Sequence, residues 1–332
     1  MPNAKKEGHK MSPSHTSWTA KFLAVVRYEI LWNIRKKKFL GMLVVAFALA
    51  TLSLAGDHIV SAFGGPSVEP KPDFVIGSSV GLGGFGFLLF GIVTAMNTIS
   101  AEFESGTIVP LLAKPVSRTT VFFGKLFGAF LTLLATYCFL MIYMAIGGFV
   151  VYGPQNNLHL VPLSLFGALF STLIWISLVL LLGTLSRSSL IAALGTLGIW
   201  LGTTIIGSIL GTLAGQGWIL TYIPGTGSSG FANGGLPPSG PPGVSFPAGT
   251  SISTGTDGIG PNLINYILHP SWEVTYYKIY IGGTTPGQVG WEPLYSELFS
   301  SVIVRSIAVA LVYFIVFIGI SWYVFRRAQV AE

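Results

Sequence analysis

Leu163-Ser-Leu-Phe-Gly-Ala-Leu-Phe-Ser-Thr-Leu-Ile-Trp-Ile-Ser-Leu-Val-Leu-Leu-Leu-Gly-Thr-Leu185 contains no charged side chain. As a helix rising 1.5 Å per residue it reaches roughly 34 Å, enough to cross the ~30 Å hydrocarbon core of a bilayer. Five further stretches read the same way: Phe39–Gly56, Phe74–Ser100, Leu126–Tyr152, Leu190–Ala214 and Val302–Phe325. Arg305 is the one formal charge within any of them, and it stands near an end. Lipid offers no hydrogen bonds to a bare backbone, so each stretch must be helical. The expected fold is all-α, a polytopic membrane protein with six transmembrane helices.

Composition agrees. Hydrophobic residues make up 51% of the 332, charged residues only 9%, and the mean hydropathy is +0.70. A soluble domain carries about 25% charged residues, so this chain lacks the polar surface to dissolve. The net charge of +6 is not a nucleic-acid signal, because the positives flank apolar stretches. Cys138 is the only cysteine and lies inside a span, so no internal disulfide is available.

Lysine and arginine near span ends set orientation. With the N-terminus inside, Lys21, Arg27, Arg35, Lys36, Lys37, Lys38, Lys114, Arg118, Lys125, Arg187, Arg326 and Arg327 all fall on the cytoplasmic side, while the two short outer loops contribute only Lys71. The expectation is a multi-pass protein of the cytoplasmic membrane with both termini inside. The polar start and the Asp57-His58 that follows the first apolar run do not resemble a cleavable signal.

Five regions follow. Residues 1–17 read as a disordered cytoplasmic tail. Residues 18–38 place Phe22, Val26, Ile30 and Ile34 at four-residue steps with Lys21 and Arg35 opposite, the pattern of an interfacial helix. Trp32 and Val25 break the polar face, which leaves an early start to the first span as the alternative. Residues 39–214 hold spans one to five, and 302–332 the sixth span and a short tail. Between them, 215–301 must lie outside. Its first half, Pro224–Gly260, is dense in Gly, Pro, Ser and Thr with Asp257 as sole charge, and reads as a flexible or extended loop. Asn262–Leu268 suits a short helix and Val274–Ile281 a strand, giving a partly ordered cap between helices five and six.

The segment between the second and third spans carries the most information. Glu102-x-Glu104-x-Gly106-Thr107 ends one helix, and Ile108–Leu112 is a short apolar piece. Pro115 then interrupts any helix, and Ser117 is positioned to cap the next. Together with Leu111-Leu112, Pro115-Val116-Ser117-Arg118 and Gly124-Lys125, this order resembles the cytoplasmic signature of type-2 ABC (ATP-binding cassette) permeases, the membrane subunits of exporters. The resemblance covers most of the chain. Pro110 and the long Gly/Pro-rich outer loop depart from the family pattern.

The resemblance implies that the transverse piece docks on a separate ABC ATPase (nucleotide-binding) subunit. Ile108, Leu111 and Leu112 would form the contact, Glu102, Glu104, Lys114 and Arg118 its polar rim, and Gly106, Thr107 and Pro115 its turns. Catalytic and metal residues are not expected in this chain. No G-x-x-x-x-G-K-[ST] occurs, so ATP and Mg belong to the partner. A second permease copy or a sister permease and the lipid bilayer are the remaining partners implied; nucleic acid is not.

Small residues concentrate in the second span, with Gly77, Gly81, Thr94 and Thr98, and in the fifth, with Thr204, Gly207, Ser208, Gly211 and Thr212. Such stripes let helix backbones approach closely. They fit packing within one subunit, and equally the dimer interface and translocation path that the resemblance implies. Arg305 is expected to reach the surface or to pair with Glu297 or Glu292. His58, His159 and His269 have no metal-site spacing. A secondary transporter would favour mid-membrane carboxylates and related halves, neither of which is present. A structural membrane subunit without transport remains an open alternative.

Overall fold

The computed structural model describes residues 17–35, 37–65, 67–77, 83–106, 116–210, 217–232, 250–281 and 289–327. The helices among them are α1 (Trp18–Arg35), α2 (Lys38–Ala62), α3 (Phe74–Gly77), α4 (Gly83–Ala95), α5 (Ser100–Glu104), α6 (Arg118–Tyr152), α7 (Val161–Ser186), α8 (Ser189–Ser208), α9 (Gly217–Leu220), α10 (Ile259–Leu268) and α11 (Phe299–Arg327). Six segments are long and apolar enough to cross a membrane: Phe39–Ala62, Gly83–Glu104, Arg118–Tyr152, Leu158–Ser186, Ser189–Gly207 and Phe299–Arg327. They match the six stretches read from sequence.

The second span differs from the expected Phe74–Ser100 helix. It includes the short α3 and α4, with residues 78–82 between them outside the described residues, and it breaks at Met96–Ile99 before α5. Thr98 Oγ1 donates to Thr94 O there, and Ser100 Oγ donates to Met96 O. Side-chain hydroxyls that compete for backbone carbonyls bend helices, and these two cluster at this break.

α7 lies at the centre of the bundle, contacting α4, α6, α8, α10 and α11. Most of its hydroxyls are satisfied within the protein, whereas Ser164 Oγ and Trp175 Nε1 are buried without a hydrogen-bond partner. Ser171, Thr172 and Thr184 donate to carbonyls of the preceding turn, and Thr172 Oγ1 also meets Tyr137 OH at 2.5 Å. Trp175, Tyr137, Phe87, Phe90 and Phe122 are fully buried around it. Close approach is achieved by small residues: a methyl at Gly91 of α4 would stand 2.6 Å from Trp175 Cβ. α8 is the peripheral helix, with Leu190, Ile191, Leu194, Leu201, Ile205 and Ile206 exposed.

At one end of the bundle, Tyr152 OH donates to Leu54 O (3.1 Å) and to Asp57 Oδ2 (2.9 Å), while Lys71 Nζ lies 2.6 Å from the same oxygen. Gln155 donates to the carbonyls of Lys71, Gly148 and Gly153 and accepts from Val75 N. These contacts clasp the ends of α2, α3 and α6.

The cap between spans five and six is more ordered than its composition suggests. β1 (Ser229–Ala232), β2 (Thr250–Ser253), β3 (Glu273–Ile281) and β4 (Val289–Leu298) form one antiparallel sheet in the order β2-β1-β3-β4. β3 and α10 were legible. β1 and β2, in the stretch read as flexible, owe their order to tertiary pairing with β3, which overrides weak local propensity. Ala232, Ile252, Val274 and Tyr276 form a small core against Phe299 and Val302 of α11. Arg305 is held where expected, by both oxygens of Glu297 (2.8 and 2.6 Å), with Tyr276 OH donating to the same carboxylate. Burial and that carboxylate push the Tyr276 hydroxyl's pKa upward.

Candidate functional site

α6 has 35 residues, about 52 Å of helix at 1.5 Å per residue, and so outruns the hydrocarbon core. α1 packs lengthwise on its first turns. Trp18 Nε1 donates to Thr120 Oγ1 (3.0 Å), Phe22 meets Phe127 at 5.9 Å between ring centres, and Asn33 Nδ2 donates to Thr132 Oγ1 (3.3 Å). The contact needs small residues on α6. A methyl at Gly124 would stand 2.7 Å from Val25 Cγ1, and one at Gly128 2.8 Å from Glu29 Cβ. Gly124-Lys-Leu-Phe-Gly128 is thus a small-xxx-small seat for α1.

The protein-facing side of α1 runs through Val26, Glu29 and Asn33. Of the apolar stripe read from sequence, Val26 is buried against α6 whereas Ile34 is exposed, beside Leu23, Leu31 and Trp32. The helix therefore shows one polar, protein-facing seam and an apolar outer face available to lipid.

A buried ionic joint closes that seam. Lys125 Nζ lies 3.0 Å from Glu29 Oε2 and 2.9 Å from Glu102 Oε1. The Lys125 and Glu29 side chains are 6% and 3% exposed, and Glu102 20%. Charges taken out of water demand partners, and a lone member of this set would be strongly unfavourable. One cation thereby ties α1, the end of the second span and the start of the third.

Neighbouring contacts extend the joint. Glu104 Oε1 accepts from the Ser189 backbone N–H (2.6 Å) and Oε2 from Ser189 Oγ (2.8 Å), capping the start of α8 where orphan N–H groups favour an anion. Arg118 Nη1 donates to Arg326 O (3.1 Å) and Trp322 Nε1 to Thr119 Oγ1 (3.3 Å), both near the end of α11. The Arg187 guanidinium lies 5.7 Å from the Phe103 ring centre. Ser117 caps α6, its Oγ accepting from Thr120 N at 3.1 Å, as its position in the sequence suggested.

Gly106 adopts φ +68°, a left-handed turn that supplies the expected break. Glu102, Glu104 and Arg118, read as polar contacts for a partner, are engaged inside the chain. Thr107, Ile108, Leu111, Leu112, Lys114 and Pro115 lie outside the described residues, as do Gly81, Gly211 and Thr212.

The small-residue stripes separate into two kinds. Thr94 and Thr98 are buried within the subunit, Thr94 Oγ1 lying 3.8 Å from Met42 Sδ. Gly77 is exposed, and Thr204 is exposed on α8 with its hydroxyl bonded to Trp200 O. Gly207 approaches Leu220 of α9, and Ser208 ends α8. In the second span Thr94 and Thr98 are thus packed inside the subunit while Gly77 is not, and α8 keeps an open face. Glu29 was missed because its partner is 96 residues away; the Gly124-x-x-x-Gly128 spacing around Lys125 is the one local signal of the contact.

A search of curated proteins finds no match to this chain. The family model described as ABC-2 family transporter protein matches residues 23–330, a range that takes in most of α1, all six spans, the ionic joint and the cap, and the chain therefore belongs to the ABC-2 transporter family.

Proposed function

We propose that this permease is the membrane half of an exporter driven by a separate ATPase, which docks on residues 106–116 at the cytoplasmic face. The observation that carries the reading is the Glu29–Lys125–Glu102 joint. It makes the flanks of that segment one rigid body with α1, while Glu104–Ser189 and Arg118–Arg326 connect the same body to the fifth and sixth spans. A push on the segment would then reach four spans together, which a solvated topogenic loop has no need of. The chain lacks a phosphate-cradling loop: Gly124-Lys125 sits inside α6 as the seat of α1 rather than ahead of a helix N-terminus. The energy source must come from another polypeptide.

A second permease, identical or related, is assigned to the open face of α8, where a methyl at Gly198 or Gly202 would meet no atom within 4 Å. Close backbone approach by a neighbouring helix suits such a face.

The test is purification of the complex from membranes with the ATPase as its readout. Scrambling residues 107–112 should release the ATPase while leaving the chain inserted, and cysteine at Gly198 should cross-link two permeases. Retention of the ATPase by the scrambled chain would sink the docking assignment, and failure of the cross-link would sink the α8 assignment alone.

A further inference from the structure

Asp257 is the only charged residue of Pro224–Gly260, yet it is buried deep against the bundle. It lies in the short turn Thr256–Gly258, which packs on α4, α7, α10, α11 and β2. The turn is pinned there. Ser171 Oγ of α7 donates to Thr256 O (2.7 Å), Ser306 Oγ of α11 to Thr254 O (3.0 Å), and Asn262 Nδ2 to Ser253 O (2.7 Å). Two glycines make room. A methyl on Gly84 of α4 would overlap Asp257 Oδ2, and one on Gly167 of α7 would overlap the Gly260 backbone.

The Asp257 side chain is aimed between the second and fourth spans and is only 7% exposed. Trp175 Nε1 and Thr226 Oγ1 are the polar groups turned toward it. Neither carboxylate oxygen closes a hydrogen bond, and Trp175 Nε1 has no acceptor. Among the described residues no cation offsets the charge. α4, α7 and β2 carry no titratable or charged side chain among their described residues, and α10 carries only Tyr266. α11 brings Arg305, already held by Glu297 and Tyr276, then Tyr313, with Tyr323, Arg326 and Arg327 in its last turns. Tyr137, its hydroxyl bonded to Thr172, is the other titratable group within electrostatic reach. An uncompensated carboxylate in such a setting is far costlier than the neutral acid.

We propose that Asp257 is a proton-binding site, protonated while the cap is seated between the second and fourth spans and released to ionise when the cap lifts and water enters. The inference goes beyond the permease reading and does not depend on it. Burial, outweighing the pull of Trp175 and Thr226, pushes the Asp257 carboxyl up to about 7, so proton gain and loss would fall in the physiological range. Bases near that pH are scarce among unperturbed side chains, and this one is placed where a movement of the cap would alter its hydration.

The chain has three aspartates, Asp57, Asp73 and Asp257, which makes direct titration practical. The full-length protein, labelled with carbon-13 at the aspartate carboxyl and held in lipid nanodiscs, is followed by NMR from acid to alkaline pH. One resonance should titrate near neutrality and vanish in Asp257→Asn. Should that variant fail to fold, Asp57→Asn with Asp73→Asn leaves Asp257 as the sole labelled carboxyl. Gly167→Leu, which wedges the cap outward, should move the neutral titration down toward the ordinary carboxylate range. Three carboxyls titrating in the ordinary range in the parent would overturn the proposal. So would a resonance that responds to sodium at fixed pH, which would make the site one for a metal cation.

Discussion

Lys125→Met should destabilise the purified protein by about 3–5 kcal/mol, the scale on which removing one partner strands a buried charge. The substitution keeps the unbranched apolar stem and removes the ammonium group that donates to Glu29 and Glu102. Glu29, 3% exposed, is left against the Gly124–Gly128 seat, and Glu102 faces the same gap. The loss is expected to fall on one region. α1 should detach first from α6, so amide exchange should accelerate across Trp18–Arg35 before it does in α7. Adding Glu29→Met and Glu102→Met should restore most of the stability, because apolar partners of similar shape leave no buried charge or polar atom stranded. A Lys125→Met chain that melts with the parent would show the joint to be no stronger than an exposed ion pair, worth about 0–1 kcal/mol. The triple variant carries a further expectation. If it is stable but its ATPase no longer drives transport, the joint transmits force; if it transports normally, the joint is only structural.

Gly167→Leu is the second large effect. Gly167 and the Gly260 backbone touch with no space for a Cβ, so the obstruction is main chain and cannot rotate away. Overpacked sites cost roughly 1–3 kcal/mol, and here relief requires the cap to move as a body. The melting temperature should fall, and residues 254–268 should become sensitive to protease added from their own side. Gly198→Leu is the matched control, since that position meets no atom within 4 Å. It should leave the stability of the single chain unchanged. Equal losses from both would mean that bulk in any span is harmful and that the Gly167–Gly260 contact is not special.

What could be read from the sequence follows from the range over which each signal acts. A span must satisfy its backbone and its lipid neighbours by itself, so all six were visible as uninterrupted apolar stretches. Caps and turns are equally local, which is why Ser117, Gly106 and the Arg305–Glu297 pair were found at their positions. Long-range pairing left no such trace. Lys125 meets a carboxylate from α1 that no window along the chain brings near, so Glu29 and its joint with Glu102 passed unnoticed. The contact of Glu104 with Ser189 passed unnoticed for the same reason, because the two lie 85 residues apart. In the cap, composition pointed to a flexible loop around Asp257. The order comes instead from β3 templating β1 and from hydroxyls of α7 and α11 that grip the turn. The Gly-containing flanks 224–232 and 250–260 are held in place by the sheet and the bundle, while the Pro-rich 233–249 lie outside the described residues.

Sidedness of the hairpin between the second and third spans tests the account most directly. In a background with Cys138→Ser, single cysteines replace Ser105, exposed beside the joint, or Ser251, exposed on the cap sheet. A membrane-impermeant thiol reagent applied to intact cells should modify the cap position and spare Ser105→Cys until the membrane is opened. Labelling of Ser105→Cys in sealed cells would put the hairpin out of reach of any cytosolic ATPase and contradict the assignment.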